Sequence, residues 1–194
     1  MRQQILLATL ALVSAGCVAP GSTLTVGAST RQIRGNYNGF RSRATIPVGT
    51  VRLAQPLGKK LEIWNEWQGN QGRVPADHLV ASGAGEGFLW ASASGIALYP
   101  TETRLLGLTV GGEFFEARYR MSGRLGPLRS QERDHFSGVG LILGLRSEIP
   151  LDRTERLGLV IEGGYRFTDT WTSKAHVDGD GWYGTIGLRF VIGP

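Results

Sequence analysis

The residues with the most evident chemical potential are His78, His135 and His176, which lie near Asp77, Asp134, Asp178 and Asp180. They fall in separate polar stretches without the short spacing by which imidazoles converge on one metal. The expectation is therefore solvated polar side chains, with no metal or cofactor. Asp178-Gly179-Asp180-Gly181 supplies two carboxylates but lacks the further oxygen ligands of a calcium loop. Asp134-His135-Phe136-Ser137, with Glu148 beyond, places an imidazole and a hydroxyl close together in sequence. A nucleophile needs an oriented base and not mere proximity, so no catalytic residue is assigned. Cys17 is the chain's only cysteine and has no disulfide partner.

These residues must be positioned by the elements around them. Arg2 followed by the apolar run Ile5 to Val13 reads as a secretory signal, too short to span a bilayer. Residues 1–16 are expected to be removed and 17–194 to form one domain of roughly 175 residues. Two processing routes remain open. Val13-Ser14-Ala15 suits ordinary cleavage after Ala15, whereas Ala15-Gly16-Cys17 resembles the end of a bacterial lipobox, which implies acylation of Cys17. No later segment is apolar enough for a membrane helix. The net charge of +5 is diffuse, which argues against nucleic acid as a partner.

From Ser22 onward, apolar and polar residues alternate with period two between turn residues, predicting strands over 22–34, 45–55, 60–68, 86–99, 104–121, 135–149, 156–170 and 180–192. Short turns at 56–59, 100–103 and 150–155 alternate with longer polar connections over 36–43, 69–85, 122–134 and 171–179. All the short turns thus fall at one end, the layout of outer-membrane barrels. The expected fold is all-β: a closed antiparallel eight-stranded transmembrane up-and-down barrel.

The last strand shows the faces most clearly. Trp182, Gly184, Ile186, Leu188, Phe190 and Ile192 oppose Tyr183, Thr185, Gly187 and Arg189, and strands six and seven repeat the pattern. In the fifth strand the apolar phase changes between Phe114 and Phe115, which predicts a bulge there. Strand length and the aromatics Trp67, Trp90, Tyr99, Tyr119, Trp171 and Trp182, read as interfacial girdles, favour apolar side chains facing lipid. The lumen is then expected to hold Glu62, Glu66, Glu113, Glu116, Arg118, Arg120, Arg146, Glu148, Glu162, Arg166 and Arg189 as a charge network that plugs it. A periplasmic lipocalin-like carrier would instead need an apolar lumen.

By this architecture the chain resembles the small outer-membrane barrels of the OmpA, OmpX and OmpW type over essentially all of its mature length. The resemblance implies a Gram-negative outer-membrane protein of the cell envelope, monomeric, in contact with outer-membrane lipids. The closing segment Thr185-Ile186-Gly187-Leu188-Arg189-Phe190-Val191-Ile192 is similar to the signal read by the barrel assembly machinery, through Thr185, Gly187, Phe190 and Ile192. Arg34, Arg41, Arg43, Arg124, Arg129 and Arg133 would form a basic rim suited to lipopolysaccharide phosphates. The expected function is envelope integrity or surface interaction. The alternative is lipid A modification, because His135-x-Ser137 with Glu148 resembles the deacylases of that membrane.

Overall fold

The computed structural model describes residues 20–37, 40–77, 82–125, 128–172 and 176–192, with side chains over 20–32, 45–70, 89–118, 135–171 and 179–192. The segment expected to be a secretory signal and Cys17 lie outside the described residues. The strands are β1 (Ser22–Tyr37), β2 (Phe40–Pro56), β3 (Leu61–Asp77), β4 (Ser82–Leu98), β5 (Gly107–Leu125), β6 (Leu128–Pro150), β7 (Leu157–Thr172), the short β8 (His176–Asp178) and β9 (Gly181–Ile192). Each is antiparallel to its neighbours in the order β2-β3-β4-β5-β6-β7-β9-β1, and β1 pairs back onto β2. β8 continues the pairing of the last wall strand with β1 at Arg34–Asn36. The result is a closed eight-stranded barrel.

Closure matters physically because hydrocarbon offers backbone groups no hydrogen-bond partner, and a closed ladder leaves no open edge. The outer wall is correspondingly apolar. Leu108, Val139, Leu141, Leu143, Ile161, Phe167, Ile186 and Leu188 are all exposed, while arginines and glutamates are buried inside. That is the reverse of a water-soluble protein and excludes the lipocalin-like arrangement. The barrel spans a membrane with its greasy side chains outward.

Three sequence expectations are corrected. The polar connections expected over 36–43, 69–85 and 122–134 are largely strand: β1 pairs with β2 as far as Tyr37↔Phe40, β3 with β4 to Asp77↔Ser82, and β5 with β6 to Leu125↔Leu128. Backbone pairing continues where the side-chain alternation fades, because the ladder needs only N–H and C=O groups. The bulge expected near Phe114 is absent: Phe114↔Val139, Phe115↔Gly138 and Glu116↔Ser137 follow in unbroken register. The change of apolar phase there has another cause, an apolar layer inside the barrel. Tyr99 is not an interfacial aromatic, since it lies inside the barrel mouth with 2% of its surface exposed. Trp171 and Trp182 do face outward, at 57% and 65% exposure.

The short turns are held by local chemistry. Leu57 N–H donates to the Leu61 carbonyl at 2.8 Å, and Gly58 takes φ +119°, a conformation that glycine alone adopts without strain. In the β6–β7 turn the Asp152 carboxylate accepts the Thr154 hydroxyl and, at 2.9 Å, the Leu157 N–H. The Thr154 bond, then the Leu157 bond, holds the Asp152 pKa below its ordinary value. Such a depressed pKa contributes stability at pH above the unfolded value, and the contribution is lost as pH falls through the folded one. Protection of the Leu157 amide in hydrogen exchange should therefore drop as pH falls below about 4. Asp152→Asn should remove most of that pH dependence.

Candidate functional site

The barrel interior is stratified. At the end away from the short turns, Ile46, Val48, Leu89, Ala91, Phe115, Ala117 and Phe136 form a buried apolar cluster. Phe115 and Phe136 meet edge to face at 6.1 Å between centroids. This layer was not anticipated, because Phe115 and Ala117 read as outward residues after a bulge. Without the bulge, the odd-numbered positions of β5 point inward from Gly107 to Ala117.

Beneath that plug lies the charge network. Arg31 stacks on Phe115 at 4.3 Å and makes a two-pronged contact with Glu113 at 2.8 and 3.0 Å. Arg166 reaches the same carboxylate at 2.5 Å and stacks on Tyr183 at 4.7 Å. The next tier centres on Arg52, which bridges Glu66 at 2.7 Å and Glu162 at 2.5 Å and lies over Trp64 at 4.5 Å. Tyr183 donates its hydroxyl to Glu162 at 2.8 Å, and Gln68 donates to Glu66 at 2.6 Å. Toward the short-turn mouth, Glu148 receives Arg146 at 2.9 Å and the Tyr99 hydroxyl at 2.8 Å. Arg189 stands 3.5 Å from Glu148, and Arg104 reaches Glu62 from the β4–β5 turn at 2.8 Å.

Of the expected network, the structure brings together Glu62, Glu66, Glu113, Arg146, Glu148, Glu162, Arg166 and Arg189. Glu116 and Arg118 do not belong to it. Both lie on the outward parity of β5, where Arg118 donates to Glu116 at 2.9 Å and is 68% exposed. The side chain of Arg120 lies outside the described residues. Sequence reasoning missed Arg31, Arg52 and Arg104. The first two sit on strands whose alternation is weak because their outward positions include Ala28, Thr30, Pro47 and Gly49. The partner count gave no warning of them, because the expected network already set five arginines against six glutamates.

Among the described residues, Arg31, Arg52, Arg146, Arg166 and Arg189 are buried against Glu62, Glu66, Glu113, Glu148 and Glu162, so the buried charge balances at five to five. A balanced lattice provides no net field to draw ions through, and its members are held by mutual bonds that burial makes costly to break. Tyr183→Phe removes one charged hydrogen bond from this lattice. A loss of about 1.5–3 kcal/mol in unfolding free energy is expected in urea titrations of the bilayer-inserted protein.

On the outer wall, His135 Nε2 lies 2.9 Å from Glu116 Oε1. Ser137 faces Glu116 across the β5–β6 ladder, on the same outward face as His135. Glu148, the carboxylate picked out in sequence, is instead inside the barrel near its opposite end. His78 lies outside the described residues, and the side chain of His176 does too. Thr185 points inward and donates its hydroxyl to Ser29 at 2.8 Å, and the segment carrying Thr185, Gly187, Phe190 and Ile192 is the strand that closes the barrel against β1.

No family model matches the chain, and no curated protein matches it. Solved structures do. The chain is similar to Ail, the attachment invasion locus protein of Yersinia pestis, at 13% identity and TM-score 0.53, covering 89% of this chain and all of that one. It is similar to the outer membrane protein OprG of Pseudomonas aeruginosa at 13% identity and TM-score 0.52, covering 91% and 98%. The translocator domain of autotransporter NalP from Neisseria meningitidis aligns at 14% identity and TM-score 0.50, covering 96% and 68%. With the closed ladder, the apolar wall and the ionic interior, these likenesses establish that the chain has the fold of the small eight-stranded outer-membrane β-barrels.

Proposed function

We propose that the protein resides in the outer membrane and serves envelope integrity and surface interaction, without providing a path for solutes. The observation that carries this reading is the lumen: a neutral, mutually bonded charge lattice capped by the Phe115–Phe136 plug. Purified protein in planar bilayers should show no steady unit conductance, and a stable pore from the wild-type chain would overturn the reading. Cells lacking the protein should become sensitive to detergents and bulky apolar antibiotics, with wild-type expression restoring resistance.

The surface partner we favour is lipopolysaccharide phosphate. The registers place Arg34 opposite Arg43 and Arg124 opposite Arg129, with Arg120 opposite Arg133. Like charges at facing positions destabilise a sheet, and a phosphate between them relieves that cost. Replacing Arg34, Arg41, Arg43, Arg124, Arg129 and Arg133 with glutamine should reduce lipopolysaccharide retention on purification. Unchanged retention rejects this contact.

A second reading, lipid A hydrolysis, is favoured by the outward grouping of Ser137, His135 and Glu116 on adjacent strands. A hydroxyl, an imidazole and a carboxylate on one face are the components of an activated nucleophile. Release of an acyl chain from lipid A by the wild type, abolished in Ser137→Ala, would establish it in place of the non-enzymatic role.

A further inference from the structure

The lipid-facing wall is hollowed at its short-turn end, where β4, β5 and β6 meet the β4–β5 turn. A cleft of about 370 Å³ runs there beside the row Leu98↔Leu108↔Leu145 and is bounded toward the turn by Pro100 and Leu106. Strand parity makes it. Leu98, Leu108 and Leu145 point outward, whereas Tyr99 and Gly107, which also line it, are buried. The space inside Gly107 is taken by the Tyr99 ring, 2.7 Å from where a Cβ would stand. Bonds outside the ladder hold the turn against β6: the Arg104 carbonyl accepts the Glu148 N–H at 3.2 Å, and the Leu105 carbonyl accepts the Ser147 hydroxyl at 2.7 Å. Arg104 takes φ +53° to allow this, a strained conformation for a residue with a side chain.

The charges beside the cleft give its level in the membrane. Lys59 and Glu102 pair at 2.9 Å with side chains 75% and 60% exposed, and exposed charge is driven from hydrocarbon to the interface. Pro100 precedes Glu102 by two residues, at most about 7 Å of chain. The cleft thus begins at headgroup level and runs along Leu98 and Leu108 into the acyl region. Its lining side chains are apolar except for the Tyr99 hydroxyl, which is turned away to Glu148. A polar solute gains nothing in such a cleft, and an acyl chain does.

Charge decides which lipid. Lys60 stands next to Tyr99, whose N–H donates to the Lys60 carbonyl at 2.8 Å. Lys60 is exposed, and among the described residues no carboxylate pairs with it, while Glu102 is engaged by Lys59. Two adjacent lysines against one glutamate leave a positive charge at the edge of an apolar cleft, the complement of a lipid phosphate. We propose that the cleft seats an acyl chain of an anionic phospholipid from the leaflet at the short-turn end, with Lys60, backed by Lys59, holding its phosphate. The site lies at the opposite end of the barrel from the arginines proposed to meet lipopolysaccharide, and neither contact depends on the other.

The test uses the full-length folded protein in a neutral detergent, titrated with phosphatidylglycerol or phosphatidylcholine of identical chains, with bound lipid counted by native mass spectrometry. Wild type should hold phosphatidylglycerol about fivefold more tightly than phosphatidylcholine, and the preference should shrink as salt rises. Lys60→Gln should abolish the preference and leave phosphatidylcholine binding unchanged. Leu108→Trp, which fills the cleft, should weaken both lipids by about tenfold, whereas Ile161→Trp on β7 should bind as wild type. Inorganic phosphate should not displace the lipid, which separates a lipid seat from a site for the free anion. Equal retention of the two lipids by wild type, an unchanged preference in Lys60→Gln, equal losses in Leu108→Trp and Ile161→Trp, or displacement by phosphate alone would each overturn the seat. Heat-modifiable gel mobility reports folding of each variant, and should Leu108→Trp fail to fold, the Lys60→Gln comparison decides.

Discussion

Replacing Arg52 with leucine should destabilise the barrel by about 3–5 kcal/mol. Among the described residues, Arg52 is the single cation within 2.7 Å of both Glu66 and Glu162. Its loss leaves two carboxylates in a compartment where each is almost fully enclosed, and the nearest remaining cation to Glu162 among the described residues, Arg146, is at 3.5 Å. The cost is the desolvation of charge without compensation, which is larger than the net worth of the intact pair. Arg52→Leu combined with Glu66→Gln and Glu162→Gln should recover much of the loss, because the orphaned charges are removed with their partner. Unfolding in urea, followed by tryptophan fluorescence of bilayer-inserted protein, measures both. A loss below about 1 kcal/mol in the single variant would mean that the carboxylates reach water, and the sealed lumen would be wrong.

Gly95→Val should prevent assembly altogether. Gly95 faces Gly111 across the β4–β5 ladder, and the Trp64 indole lies directly over both. A Cβ at Gly95 would collide with the Val110 carbonyl oxygen and come within 2.6 Å of the Gly111 Cα and of the Trp64 ring. Two of these obstacles are backbone, so relief requires breaking the ladder that closes the barrel. Overpacking of yielding cores costs about 1–3 kcal/mol, and a backbone collision lies beyond that range. The expected result is loss of the heat-modifiable folded band. Gly112→Ala is the control: its nearest neighbour is the Gly140 carbonyl at 3.9 Å, and folding should proceed. A folded Gly95→Val protein would show that the wall yields there.

Alternation made the late strands legible. In β6, β7 and β9, Leu141, Ile161 and Ile186 face hydrocarbon at every second position, so sequence alone fixes their faces and the parity of Arg146, Glu162, Arg166 and Arg189. The early strands were not legible. Arg31 and Arg52 lie among Ala28, Thr30, Pro47 and Gly49, where the outward face carries too little apolar contrast to set a phase. At Phe114 and Phe115 two adjacent aromatics face opposite sides. Sequence offers only a bulge to reconcile them, whereas the interior holds an apolar plug that receives Phe115.

Strand count, the direction of the short turns and the greasy outer surface were thus written into this chain by period-two patterning and turn residues, because both act over a few neighbouring positions. Which arginine meets which glutamate, and that Glu116 and Arg118 leave the lumen for the outer wall, were decided only by closure. Contacts such as Arg31–Glu113, Arg52–Glu162 and Arg166–Glu113 join residues far apart in the chain, and their register follows from how the whole sheet wraps around on itself.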